Sequence, residues 1–227
     1  MSYSFELGMD LLYFAILAAT FIYGAISLLK PGKPLYFQLF VLASGCRMLE
    51  RLIVVVLLIC GFDNPNVSIG AFLGTFSMVL FVLAANYGTL DSLVDDRSDD
   101  KNKKARRLAL IAPIILTSSF FVIVPNYIKN VSLFTAIILT IAFIPCIPAS
   151  YFNLKHLLLP KDEMGLLEAT KYCNVVALLA YVVGIANNFL ASLFVRAESI
   201  MYVRLVVYTL PALLIVAAVK GAKQWKI

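Results

Sequence analysis

The sequence predicts an all-α fold: a polytopic bundle of seven membrane-spanning helices, N-terminus outside and C-terminus cytoplasmic. Three observations predict it. Of 227 residues, 62% are apolar and 14% charged, with a mean hydropathy of +0.92, the composition of a chain dissolved in lipid. The apolar residues form long unbroken blocks, which excludes an amphipathic globule, a coiled coil and a disordered tail together. Lysine and arginine sort to one side of those blocks.

A helix rises about 1.5 Å per residue and the hydrocarbon core is about 30 Å thick, so a span takes roughly 17 to 25 apolar residues. The blocks lie at about 9–29, 35–61, 67–90, 108–124, 131–152, 173–195 and 201–219. They must be helices, because lipid leaves no partner for irregular backbone and barrel strands would be shorter and alternate in polarity. The connectors are brief and rich in breakers: KPGKP at 30–34, GFDNPN at 61–66, PNYIKN at 125–130 and RAES at 196–199. Consecutive helices are therefore expected to be antiparallel neighbours. Prolines give no sign of an internal repeat, since the first two spans have none and the fifth has two.

With the N-terminus outside, the inner segments carry Lys30, Lys33, Arg97, Lys101, Lys103, Lys104, Arg106, Arg107, Lys155, Lys161, Lys171, Lys220, Lys223 and Lys226, and the outer ones only Lys129 and Arg196. This bias sets the orientation. It also accounts for the net charge of +6 as a topogenic signal with some attraction to anionic membrane lipid, so no nucleic-acid footprint is inferred. The start, MSYSFELGMD, is acidic and lacks a basic leader region, so the first span reads as retained. Residues 1–227 read as a single integral membrane domain, and bacterial inner membrane is the expected location. The longest polar stretch, the cytoplasmic loop DSLVDDRSDDKNKKARR at 91–107, reads as a solvated segment, with a docking surface for a cytosolic or membrane partner as the sharper alternative.

Residue inventory excludes several chemistries. A retinal Schiff base needs a mid-helix lysine, and all twelve lysines fall in loops or at helix ends. Zinc and bis-imidazole haem sites need several histidines; the chain has one, His156, read as an interfacial side chain. Cys46, Cys60, Cys146 and Cys173 form no C-x-x-C pair and read as small apolar residues, so neither metal nor cofactor is expected. The sequons at Asn66 and Asn130 lie too close to spans for glycosylation and read as chance matches.

The informative residues are Arg47, Glu50 and Arg51 in the second span. They lie within about one turn of its middle, where each charge costs about 2.5 to 3.5 kcal/mol on insertion scales and marks function by default. Spacings of three and four put them on one face. Glu50 neutralises one guanidinium, and Glu6 and Asp10 read as outer-surface residues, so one positive charge is expected to lack a protein carboxylate. An anionic ligand, internal water, a partner subunit or neutral dipoles would have to meet it. Paired arginines suit planar, bidentate recognition of carboxylate or phosphate.

Asn187 and Asn188 in the sixth span read as interhelical glue that also reaches this level. Pro145, Pro148 and Pro211 should release mid-membrane carbonyls, and Arg204 and Tyr208 lie one turn apart in the seventh span, where Arg204 pairs with Asp10 or snorkels. Gly70-x-x-x-Gly74 is equally consistent with an internal contact and with a homodimer. The leading functional expectation is a carrier of a small anionic or zwitterionic solute, with Arg47, Glu50, Arg51, Asn187, Asn188, Arg204 and Tyr208 around it. The alternative is a ligand-sensing receptor or subunit signalling through the 91–107 loop. An enzyme is less favoured, because Glu50 would lack a second acid–base group. A purely structural ion-pair network remains open beside these.

Overall fold

A computed structural model describes residues 3–61, 76, 80, 100–130, 133–159, 170–193 and 198–224. These residues are helical throughout, apart from short turns and a helix-entry turn at Thr170, with no strand among the described residues. In chain order the helices are α1 (Tyr3–Leu28), α2 (Leu35–Ile59), α3 (Asp100–Ala109), α4 (Ile111–Asn130), α5 (Leu133–Phe143), α6 (Cys146–Leu158), α7 (Lys171–Leu193) and α8 (Glu198–Gln224). Among the described residues, four stretches are long and apolar enough to cross a membrane: Leu7–Leu28, Lys103–Asn130, Ala136–Leu158 and Lys171–Leu190. α2 has comparable length, 25 residues, but carries its three charges in its interior. The expected span at 67–90 and its Gly70-x-x-x-Gly74 motif lie outside the described residues, apart from residues 76 and 80.

Two boundaries differ from the sequence expectation, each because polar residues continue a helix that hydropathy would end. PNYIKN at 125–130 is not a connector. α4 runs through Pro125 to Asn130; the lost bond to the Phe121 carbonyl is local, and the Asn126 amide donates to the Val122 carbonyl one residue on, at 3.1 Å. Residues 100–107, read as part of a solvated loop, belong to α3, whose Ala105 and Ala109 are buried against the α6 side of the bundle; residues 91–99 lie outside the described residues. The turn at Leu110 has a cause in Pro113, which has no N–H for the Ala109 carbonyl, and the ladder resumes with Ile114 N–H on the Leu110 carbonyl at 3.2 Å.

Proline also divides the expected span at 131–152. α5 ends at Phe143 and α6 begins at Cys146 around Ile144 and Pro145. The Ile144 carbonyl, which Pro148 cannot reach, accepts from the Ile147 N–H at 3.2 Å. It is therefore not held open for an arginine.

The helices pack in two groups. α1, α2 and α8 surround a core of Leu28, Phe37, Val41, Ile215, Ala218 and neighbours, which also takes in Cys173 at the start of α7. α4, α5, α6 and α7 surround Leu116, Phe143, Ala149 and Tyr181, with Ile123, Tyr127 and Ala136 beside them. α7 against α8 joins the groups. Small residues set the approach in the first group: a Cβ on Gly45 would meet the Phe21 ring at 2.8 Å, and one on Gly24 would meet Ile215 and Val41 at 3.1–3.2 Å. That seam fixes α1 antiparallel to α2, with Tyr13 and Leu17 packed near Met48. Gly61, at φ +86, ends α2 in the left-handed conformation that glycine adopts at least cost.

Candidate functional site

Arg47 is the central residue of α2, and Glu50 and Arg51 follow it on the same face within about 6 Å of rise. Arg47 donates through Nη1 to Glu50 Oε2. Arg51 donates through Nη2 to Glu50 Oε1 at 3.3 Å and through Nη1 to Asp10 Oδ1 of α1 at 2.8 Å. Glu50 thus bridges two guanidiniums, and Arg51 bridges two carboxylates, so the four side chains run in series from Asp10 to Arg47.

The reading that one guanidinium lacks a protein carboxylate is corrected: Asp10 supplies it. The error was one of depth. α1 begins at Tyr3, six residues before the first apolar block was read to start, so Asp10 lies about 10 Å inside the helix. The antiparallel seam then carries it to the level of Arg51, just as it carries Tyr13 to Met48. The ion pairs are largely enclosed, with side-chain exposures of 15% for Asp10, 16% for Arg51 and 10% for Glu50, while Arg47 retains 29%.

The remaining predicted residues do not join this cluster in the way expected. Asn188 is on α7, where its Oδ1 accepts from the Tyr127 hydroxyl of α4 at 3.2 Å and its amide donates to the Gly184 carbonyl at 2.8 Å. Nearby, the Asn130 amide donates to the Ser192 carbonyl at 2.9 Å. The Tyr127–Asn188 and Asn130–Ser192 bonds tie α4 to α7, a different partner from α2. Asn187 is half-buried on the same helix. Arg204 and Tyr208 fall on α8, but their side chains lie outside the described residues.

Sequence reasoning missed a second polar centre, between α6 and α7. The Asn153 amide donates to Asn174 Oδ1 at 2.9 Å, the Tyr181 hydroxyl donates to Asn153 Oδ1 at 3.2 Å, and the Asn174 amide donates toward Thr170 Oγ1 at 3.4 Å. Asn153, Asn174, Thr170, Ser150, Lys155 and His156 are all buried. His156 is consequently not the interfacial side chain expected. α3 packs against α6, so the helix end that hydropathy assigns to the interface is roofed by protein. The available signal was the spacing of Asn153 and His156, three apart on one helix face. Among the described residues, no three His, Cys, Asp or Glu side chains converge as metal ligands would.

Chemically, the α1–α2 cluster sets two guanidiniums against two carboxylates in one series of ion pairs. An apolar groove between α4 and α5, lined by Val124, Ile128, Ile137 and Ile141, offers nothing polar of that kind. The chain matches no protein-family model, no curated protein and no solved structure.

Proposed function

We propose that the chain is a seven-span integral membrane carrier, N-terminus outside, for a small anionic or zwitterionic solute, and that Asp10, Glu50, Arg47 and Arg51 form its central site. The observation that carries this reading is the interhelical Arg51–Asp10 ion pair at 2.8 Å, in series with Glu50 and Arg47. Packing does not require it. The α1–α2 seam already closes through Gly24 and Gly45 and through Tyr13 and Leu17, and apolar residues in place of an enclosed ion-pair network are commonly as stable. Charges kept in the interior of a span at such cost point to a ligand pathway.

The mechanism follows from exchange. A carboxylate or phosphate on the solute presents the same oxygens as Asp10 and takes its place on the planar Arg51 fork, with Arg47 as a second contact. Asp10 is then released from α2, so solute binding loosens α1 against α2. Helices interrupted by proline, as α5–α6 is at Pro145, suit the rocking that exposes such a site to either side in turn.

Purified protein reconstituted in liposomes is expected to support counterflow of at least one of labelled succinate, glutamate or glycerol phosphate, and Arg51→Leu is expected to abolish it. Binding of one of these probes without counterflow would overturn the carrier reading in favour of a ligand-sensing receptor. Neither binding nor counterflow for any of the three would overturn both.

A further inference from the structure

α3 and α4 are built as one rod with a single turn between them. The apolar stretch Lys103–Asn130 is 28 residues long, about 42 Å, against a hydrocarbon core of about 30 Å. About 20 residues suffice to cross that core, and the polar residues of the stretch gather at its two ends, Lys103–Arg107 and Asn126–Asn130. The rest of the stretch therefore extends into the headgroup zone.

Exposure along this rod is not uniform. Ala105 and Ala109 face the protein, while Lys103, Lys104, Arg107, Leu108, Ile111, Ile114 and Ile115 are exposed. Positions 103, 107, 111 and 114, and positions 104, 108, 111 and 115, follow helical spacing. Three exposed cations on α3 thus stand in line with an exposed apolar stripe that runs from Leu108 onto α4.

We propose that Lys103, Lys104 and Arg107 bind the phosphate-bearing headgroup of an anionic phospholipid whose acyl chains lie along Leu108, Ile111, Ile114 and Ile115. The arrangement selects a lipid over a soluble phosphate or a polyanion because charge and apolar surface are stacked in the order of an amphiphile, at the depth where headgroup and acyl chain meet. Basic residues immediately beside a span attract anionic leaflets, each adding severalfold to affinity at modest ionic strength. The lipid so held would cover the outer side of α3, whose inner side roofs the buried Asn153 and His156 region. This site is separate from the α1–α2 cluster and does not depend on its function.

The test is native mass spectrometry of the full chain in detergent micelles, titrated with phosphatidylglycerol and phosphatidylcholine. Phosphatidylglycerol is expected to be retained about tenfold better, and K103A/K104A/R107A to reduce that preference to twofold or less. The control K220A/K223A, on α8, should keep it. Equal retention of the two lipids, or an unchanged preference in the triple variant, would overturn the proposal, as would full competition by soluble glycerol phosphate. Because the triple variant removes three charges at once, a second measurement uses the unaltered protein. Phosphatidylglycerol carrying a photoreactive acyl chain should crosslink chiefly to residues 108–115, whereas crosslinks spread evenly over the exposed residues of α1 and α8 would refute the site.

Discussion

Replacing Asp10 by Asn removes the charge that joins α1 to α2 while keeping the shape of the side chain. The Arg51 Nη1 to Asp10 Oδ1 distance of 2.8 Å puts the charge centres about 4 Å apart, worth about 4 kcal/mol at an effective dielectric near 20. Arg51 keeps Glu50 at 3.3 Å, but shares it with Arg47, so roughly half of the compensation survives and Asp10→Asn should cost about 2 kcal/mol. Arg51→Met removes the other member of the pair. In a double-mutant cycle of these two changes, measured by helical circular dichroism as the SDS fraction of mixed micelles is raised, the coupling energy should be about 2 kcal/mol. Additivity of the two single losses within about 0.5 kcal/mol would refute a direct Asp10–Arg51 ion pair between these helices.

Two further outcomes test the packing in the same assay. Asn153→Leu removes the side-chain partner of both the Asn174 Oδ1 and the Tyr181 hydroxyl and should cost about 2–3 kcal/mol, whereas Tyr181→Phe, which removes the hydroxyl alone, should cost about 1 kcal/mol; equal losses for the two would contradict the shared network. Gly45→Val drives a Cβ into the Phe21 ring and should destabilise by about 1–3 kcal/mol. Phe21→Leu in the same chain should recover most of that loss, and failure to do so would place the close approach elsewhere.

Helix existence was legible because the bilayer sets it: the blocks at 9–29, 35–61, 173–195 and 201–219 correspond to α1, α2, α7 and α8. Helix ends were not, because hydropathy measures the preference for lipid and says nothing of backbone bonding. Glu6, Pro125, Lys155 and His156 all read as polar ends or breakers and all belong to helices. The same limitation hid the partner of Arg51. The charges on α2 announced themselves by composition alone, but Asp10 joins them only through the register of the α1–α2 seam, which Gly24 and Gly45 set by close approach and which no hydrophobic period encodes. The Asn153–Asn174 pair was hidden for a related reason: 21 residues and a connector separate two amides that meet only because α6 and α7 pack face to face.

The most direct measurement is counterflow through a folded protein from which all four charges have been removed. Asp10→Leu, Arg47→Leu, Glu50→Leu and Arg51→Leu in one chain leave no member of the cluster charged and unpaired, so reconstituted material should keep its helicity and its resistance to SDS. If the charges serve a solute, this chain carries none of the labelled anion that the unaltered protein exchanges. Undiminished exchange by the fully apolar variant would show that the solute passes elsewhere and that the Asp10–Arg51–Glu50–Arg47 series only holds α1 to α2.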